Sequence, residues 1–251
     1  MEQLVLYFAL KYKGDFQSIY NALLREEPID EQLCCELKKK LDCKYTTIFS
    51  KDYPEQLKLI NCPPFVLFYY GDLSLVSLNP IGVIGTHEAS LYGIQATNHF
   101  VEGLVNKGYT IVSGMAQGID TIAHQSTINK NGKTIAVLGT GIEYCYPREN
   151  QVLYEELKKS HLVLSEYPYD VYPQHELFPF RNRIISGLSN SVLICESRLK
   201  SETMITAGYA LEQGKEIYCI PGNFDNDHNG CNELIKQGAN LVTCIEDIEA
   251  E

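Results

Sequence analysis

IGVIGTHEASLYG (residues 81–93), YTIVSG (109–114) and KTIAVLG (133–139) decide how this chain folds. Each opens with a short, nearly continuous apolar run and carries glycine where that run ends. HLVLSE (161–166), SVLICE (191–196), EIYCIPG (216–222) and a short NLVT (240–243) continue the series. Runs that are apolar throughout, rather than alternating, are what parallel strands need when helices cover both faces of a sheet. Between them the spacing predicts helices near Gly93–Lys107, Ile119–Asn129, Glu149–Lys159, Ile184–Leu188, Thr203–Gln213 and Cys231–Gln237.

Strands alternating with helices in this way read as βαβ units. The expected fold is α/β: an extended Rossmann-like, mostly parallel sheet with helices on both faces. Ligands of such sheets bind in the crevice beyond the carboxyl ends of the strands, which is where the Gly-rich turns fall.

Upstream the pattern changes. Apolar residues recur at helical spacing through Leu4–Leu10, Ile19–Leu24 and Leu33–Leu41, with Pro28 and Asp30 as breaker and cap. The segment closes with PPFVLFYYGD (63–72), a strand bounded by a Pro pair and a Gly-Asp turn. A boundary is expected around Leu73–Pro80, separating a small helical accessory domain over residues 1–75 from the sheet domain over 76–251.

With 45% hydrophobic residues among 251, the chain can bury one sizeable core. No stretch approaches the ~20 consecutive apolar residues of a membrane-spanning helix. Glu2 stands where a secretory signal would carry a basic flank, so a cytoplasmic protein without a membrane partner is expected. Nine scattered cysteines without a CxxC pair read as mostly buried thiols rather than disulfides or a zinc site. A net charge of −11 excludes a protein that grips nucleic acid over its whole surface. A polyanion must meet a local pocket.

The turn starting at Gly85 offers backbone N–H groups at a helix N-terminus and the hydroxyls of Thr86 and Ser90, which suit a phosphate. A tight turn with a capping Ser is the structural alternative. The turn lacks the GxGxxG spacing, and the second strand ends at Ser113 and Gly114 without an acidic residue, so a dinucleotide is disfavoured and no cofactor is expected. In SGMAQGIDTIAHQ (113–125), Asp120 and His124 fall at i, i+4, a spacing that more often stabilises a helix than makes a catalytic dyad.

GTGIEYCYPREN (139–150) places Gly139 and Gly141 at a strand end and Arg148 at the start of a helix. There a guanidinium either binds phosphate or is solvated. SEYPYDVYPQHELFPFRNRIISGLS (165–189) reads as a long loop, dense in aromatics and prolines and ending in Arg181 and Arg183. Rings beside guanidinium groups suit single-stranded nucleic acid, although Phe178 and Phe180 can equally staple the loop to the core. Lys200, Ser201 and Thr206 follow SVLICE, and NFDNDHNG (223–230) with His228 matches no metal-ligand spacing, so no metal is expected.

Taken in order, SGMAQGIDTIAHQ, GTGIEYCYPREN, SEYP, FPFRNRIISGLS, ITAGYALEQGKEIYCIPG (205–222) and GCNELIKQGANLV (230–242) resemble the DNA-processing protein A (DprA, or Smf) family over Ile81–Asp247. The resemblance implies a non-enzymatic protein that binds single-stranded DNA and loads the RecA recombinase during natural transformation or recombination. It also implies a homodimer, a SAM-like helical domain at the N-terminus, and no winged-helix tail after EDIEAE. The family's DNA pocket maps onto Gly85, Thr86, Arg148, Phe178, Arg181 and Arg183; the strand-end residues Ser113, Gly114, Gly139 and Gly141, with Lys200, complete the candidate set.

Two positions depart from the family pattern. His87 stands where the family has Arg, and an imidazole is mostly neutral at pH 7. Glu202–Thr203 stands where it has Gly-Ser, which adds negative charge beside the site. Two other readings compete: a nucleotide-processing enzyme of the phosphoribohydrolase type, with Glu166 or Asp120 as its acid, and a relic that has lost DNA binding through His87 and Glu202.

Overall fold

The structure is a computed structural model that describes residues 1–223 and 229–249. Its strands are β1 (Lys44–Thr47), β2 (Val66–Gly71), β3 (Pro80–Gly85), β4 (Thr110–Ser113), β5 (Lys133–Gly141), β6 (Leu162–Tyr167), β7 (Ser191–Glu196), β8 (Glu216–Cys219) and β9 (Asn240–Leu241). They form a single sheet in the order β1-β2-β6-β5-β4-β3-β7-β8-β9. From β6 to β9 every neighbouring pair is parallel, whereas β1 and β2 add antiparallel at one edge.

The seven runs read as strands from the sequence are β3 to β9. The chain starts in the middle of the sheet at β3, builds outward to β6, then returns to β7 beside β3. That reversal makes the gap between the carboxyl ends of β3 and β7 the topological switch point, the usual place for a ligand crevice.

The helices are α1 (Glu2–Lys11), α2 (Phe16–Leu24), α3 (Glu31–Lys39), α4 (Leu91–Asn106), α5 (Ile119–Asn129), α6 (Gln151–Ser160), α7 (Leu177–Leu188), α8 (Glu202–Glu212) and α9 (Gly230–Lys236). Successive strand residues point to opposite faces, and both faces are buried. Val192 and Ile194 join one apolar core with Ile184, Leu188 and Ala207 of α7 and α8. Leu193 and Cys195 join another with Phe100, Leu104 and Ala123 of α4 and α5. Continuous apolarity in SVLICE is therefore the mark of a strand covered twice.

The N-terminal helices rest on the same sheet. Val5 to Leu10 are all buried, in a core shared with Phe68 of β2, Ala136 and Leu138 of β5 and Val163 of β6. Asp30 caps α3 by accepting from the Leu33 amide at 3.0 Å, as its position before the helix predicts. The sheet itself begins upstream of the expected boundary near residue 75: β2 lies within PPFVLFYYGD, and β1 has no counterpart among the strands expected from the sequence. KYTT is a short edge strand whose first two residues are exposed, so it carries no apolar run.

Two more expectations change. The long segment after β6 is not loop down to Arg183, because α7 starts at Leu177 and carries FPFRNR within it. All nine cysteines are free, and Cys145, Cys195, Cys219 and Cys231 are buried, but the remaining five are half-buried or exposed. His228 lies outside the described residues. No helix among the described residues is long and apolar enough to cross a membrane.

Candidate functional site

A cavity of about 390 Å³ opens at the carboxyl ends of β3, β4 and β5. Gly114 and Gly139 form its floor with Arg181, Tyr146 and Phe178 line a wall, and His87 and Glu202 stand at the switch-point side. The rings of Tyr146 and Phe178 pack at 5.3 Å between centroids, tilted by 41°. Tyr146 is 45% exposed, so this wall is open to a partner.

The floor depends on glycine. A Cβ on Gly114 would lie 2.6 Å from Arg181 Nη2 and 2.7 Å from Asp120 Oδ2, and one on Gly139 would lie 2.7 Å from the Phe178 ring. Gly118 adopts a positive φ of 74°, and a side chain there would collide with the Thr86 and His87 carbonyls. This close approach lets the Ile119 amide bond the Thr86 carbonyl at 3.1 Å, tying the β3 turn to the start of α5.

Arg181 is buried at 4% exposure. It donates to the Gly114 carbonyl at 2.7 Å, to the Val137 carbonyl, and to Asn182 Oδ1 at 3.0 Å. The Asp120 carboxylate accepts from the amides of Gly114 at 3.2 Å and Ala116 at 3.4 Å. Burial raises the Asp120 carboxyl above its ordinary range, with the charge of Arg181 as the main opposing effect. Burial also holds the Arg181 guanidinium below its usual value, opposed chiefly by Asp120. A guanidinium so placed supplies positive potential to the cavity floor while its N–H groups are spent largely on the protein.

Several candidate residues have structural duties instead. Arg183 is buried at 1% exposure and donates to both Glu166 carboxylate oxygens at 2.8 Å, to the Cys62 carbonyl at 2.9 Å and to the Phe180 carbonyl at 3.0 Å. It cannot reach a ligand without leaving an unpaired carboxylate behind. Ser113 is buried and donates to the Val83 carbonyl at 2.7 Å. Gly141 bonds the Val171 carbonyl at 2.9 Å, and any side chain there would strike the Tyr169 carbonyl.

The helix terminus expected to hold a phosphate is also occupied. Glu196 at the end of β7 accepts from the Ser90 amide at 2.9 Å and the Ser90 hydroxyl at 2.5 Å. Thr86 is buried, its amide donating to the Glu196 carbonyl at 2.8 Å and its hydroxyl oxygen accepting from the Glu88 amide at 3.3 Å. Gly85 is buried beneath it, where a Cβ would lie 2.6 Å from Ile119. Of that turn only His87 opens onto the cavity. Arg148 and Lys200 are exposed and do not line the cavity, though Arg148 follows its lining residue Pro147 and Lys200 precedes its lining residue Glu202 by two residues.

Asp120 and His124 do not pair. His124 is buried one helical turn further along α5, with Nδ1 2.7 Å from Thr134 Oγ1. Among the described residues no group of His, Cys, Asp and Glu is arranged to hold a metal ion.

Residues 44–251 match the family described as DNA recombination-mediator protein A. The chain belongs to this family. Similar DNA recombination-mediator A proteins include the DNA processing protein DprA of Bacillus subtilis (strain 168), which is 46% identical over 206 residues covering 81% of this chain and 69% of that protein. The X-ray structure of DNA processing protein A from Streptococcus pneumoniae superposes with a TM-score of 0.83 at 34% identity, covering 98% of this chain and 92% of that one. A structure concerned with the single-stranded DNA binding mode of DNA processing protein A from Helicobacter pylori gives a TM-score of 0.75 at 31% identity, over 82% and 94% of the two chains.

Two contributors to the candidate site carry no obvious mark in the sequence. Tyr146 supplies half of the aromatic wall; its neighbour Arg148 drew attention because it is charged. Asn150 donates to the Met115 carbonyl at 2.9 Å and Thr121 Oγ1 at 2.7 Å, pinning the β4–α5 loop. Met115 there has a positive φ of 59° although buried, a strained conformation that the surrounding bonds must hold. An Asn three residues after a Tyr-Pro pair was the available signal.

Proposed function

We propose that this protein binds single-stranded DNA in the strand-end cavity and presents it to a recombinase. The observation that carries the reading is the Tyr146–Phe178 wall above a cavity floored by Arg181. Bases of a single strand stack on rings, at about 1–3 kcal/mol each, while local positive charge meets the backbone. The Helicobacter pylori relative, described for its single-stranded DNA binding mode, supports the same ligand class.

A chain of net charge −11 gains little from non-specific attraction to DNA. Arg148 and Lys200 beside the cavity, with Arg181 at its floor, would neutralise about three phosphates, for a slope of log affinity against log salt near −2. Titrating a labelled thymine strand at two salt concentrations tests this. A slope several times steeper would point to a broad basic surface and against the cavity.

Binding rather than catalysis fits the carboxylates. Glu166 is committed to Arg183 and Asp120 to backbone amides, so neither is poised to protonate a leaving group. RecA as partner, a role in natural transformation and a homodimeric state follow from the family resemblance. Co-sedimentation with RecA on coated strands and light scattering of the free protein test the partner and the dimer.

A further inference from the structure

We infer that the cavity selects the base it holds, and that Glu202 with His87 reads the Watson–Crick edge of guanine. The inference rests on the single-stranded DNA reading above. Glu202 lines the same cavity as the Tyr146–Phe178 wall, and its carboxylate Oε2 lies 4.0 Å from His87 Nε2. Both side chains are accessible, at 29% and 54% exposure respectively. Among the described residues no Lys or Arg forms an ion pair with Glu202, and its carboxylate accepts no hydrogen bond.

A bare carboxylate is a poor neighbour for phosphates. It is a good neighbour for the N–H edge of a base, because it is an acceptor at both oxygens. With a base flat against the aromatic wall, the groups around the cavity meet its edge, and single-stranded bases are read there.

The four bases offer that edge differently. Thymine has one imino N–H between two carbonyl oxygens, which a carboxylate repels. Adenine and cytosine place an amino group beside an unprotonated ring nitrogen. Guanine alone places an imino N–H and an amino group side by side, the paired-donor geometry that carboxylates bind bidentately.

Beside those two donors guanine presents its O6 acceptor, and a neutral imidazole carries one N–H donor. An acceptor pair next to a donor is what Glu202 and His87 supply. Of the charged groups near Glu202, Arg181 donates to the Gly114 and Val137 carbonyls and adds positive potential at the floor, and Asp120 accepts from backbone amides.

The test compares three labelled strands: all thymine, thymine with one central guanine, and thymine with one central hypoxanthine, which lacks the 2-amino group. A single guanine prevents four-stranded assembly. The native protein should bind the guanine strand at least about fivefold more tightly than the thymine strand, since a bidentate base contact discriminates by that much or more. The hypoxanthine strand should fall between. Glu202→Gln should erase the order and tighten binding of the thymine strand, because a negative charge leaves the site.

Equal affinity of the native protein for guanine and thymine strands would overturn the inference, as would a guanine preference that survives in Glu202→Gln. Failure to bind any strand is a separate result: it defeats the DNA reading itself, and the base preference with it.

Discussion

Arg181 and Arg183 stand two residues apart on α7 and serve two different regions. Two residues along an α-helix turn the side chain by roughly 200°, so one guanidinium forms the cavity floor and the other enters the seam between α7 and β6. In the seam Arg183 is matched by Glu166 with a hydrogen bond to each oxygen, and burial leaves no room for a ligand. At the cavity Arg181 has backbone carbonyls but no carboxylate within ion-pair distance among the described residues, and an open volume beside it. One charge braces the helix, and the other lies at the cavity floor, where the proposed function would have it meet the ligand.

The largest expected effect comes from breaking the brace. Arg183→Met should destabilise the fold by about 3–5 kcal/mol, because the Glu166 carboxylate is left buried without its partner. Urea denaturation measures it, and the double variant Glu166→Leu with Arg183→Met should recover much of the loss. If Arg183→Met weakens DNA binding while leaving stability untouched, the division between the two arginines is wrong.

Acid provides a second test of the sealed framework. Burial, with the nearby charges of His161 and Arg181, pushes the His124 imidazole from 6.5 down to about 3. The folded protein keeps this group neutral while the unfolded chain protonates it, so its contribution is present above pH 6.5 and is lost as pH falls toward 3. At pH 5 the loss is about 2 kcal/mol. Thermal melting between pH 7 and pH 5 should show it, and His124→Asn should flatten the profile.

The cavity side should respond oppositely, in affinity rather than stability. Tyr146→Ala removes an exposed stacking platform and should weaken single-strand binding by about 1–3 kcal/mol, with a melting temperature close to native. Arg148→Ala should have the smallest effect, a few-fold loss in affinity and a salt slope shallower by about 0.7.

The parallel sheet was legible because doubly covered strands such as SVLICE cannot contain polar residues in their middle. β1 was not, since an edge strand of four residues with two exposed has no pattern to show. The start of α7 was hidden by Pro179, usually a helix breaker. Pro179 sits third in the helix, where backbone N–H groups have no intrahelical partner and proline removes nothing.

Among the site residues, the strand-end glycines were legible because only glycine permits the close approaches at 114 and 139. The burial of Arg183 was not legible, because a charge in an aromatic segment suggests an exposed side chain and its partner Glu166 lies 17 residues away on another element. Of the two readings of the turn before α4, the capping Ser is present, Ser90 accepting from the Gly93 amide at 3.1 Å, but its engagement by a carboxylate was not legible for a related reason. That carboxylate, Glu196, is 106 residues distant in sequence, and only the β3–β7 pairing brings the two together.

Photo-crosslinking tests the central claim most directly. A single strand containing iodinated uracil, irradiated in complex with the protein and mapped by mass spectrometry, should mark Tyr146 and Phe178, with the yield falling in Tyr146→Ala. Crosslinks confined to tyrosines outside the cavity, such as Tyr92 or Tyr209, would contradict the assignment of the strand-end cavity as the DNA site.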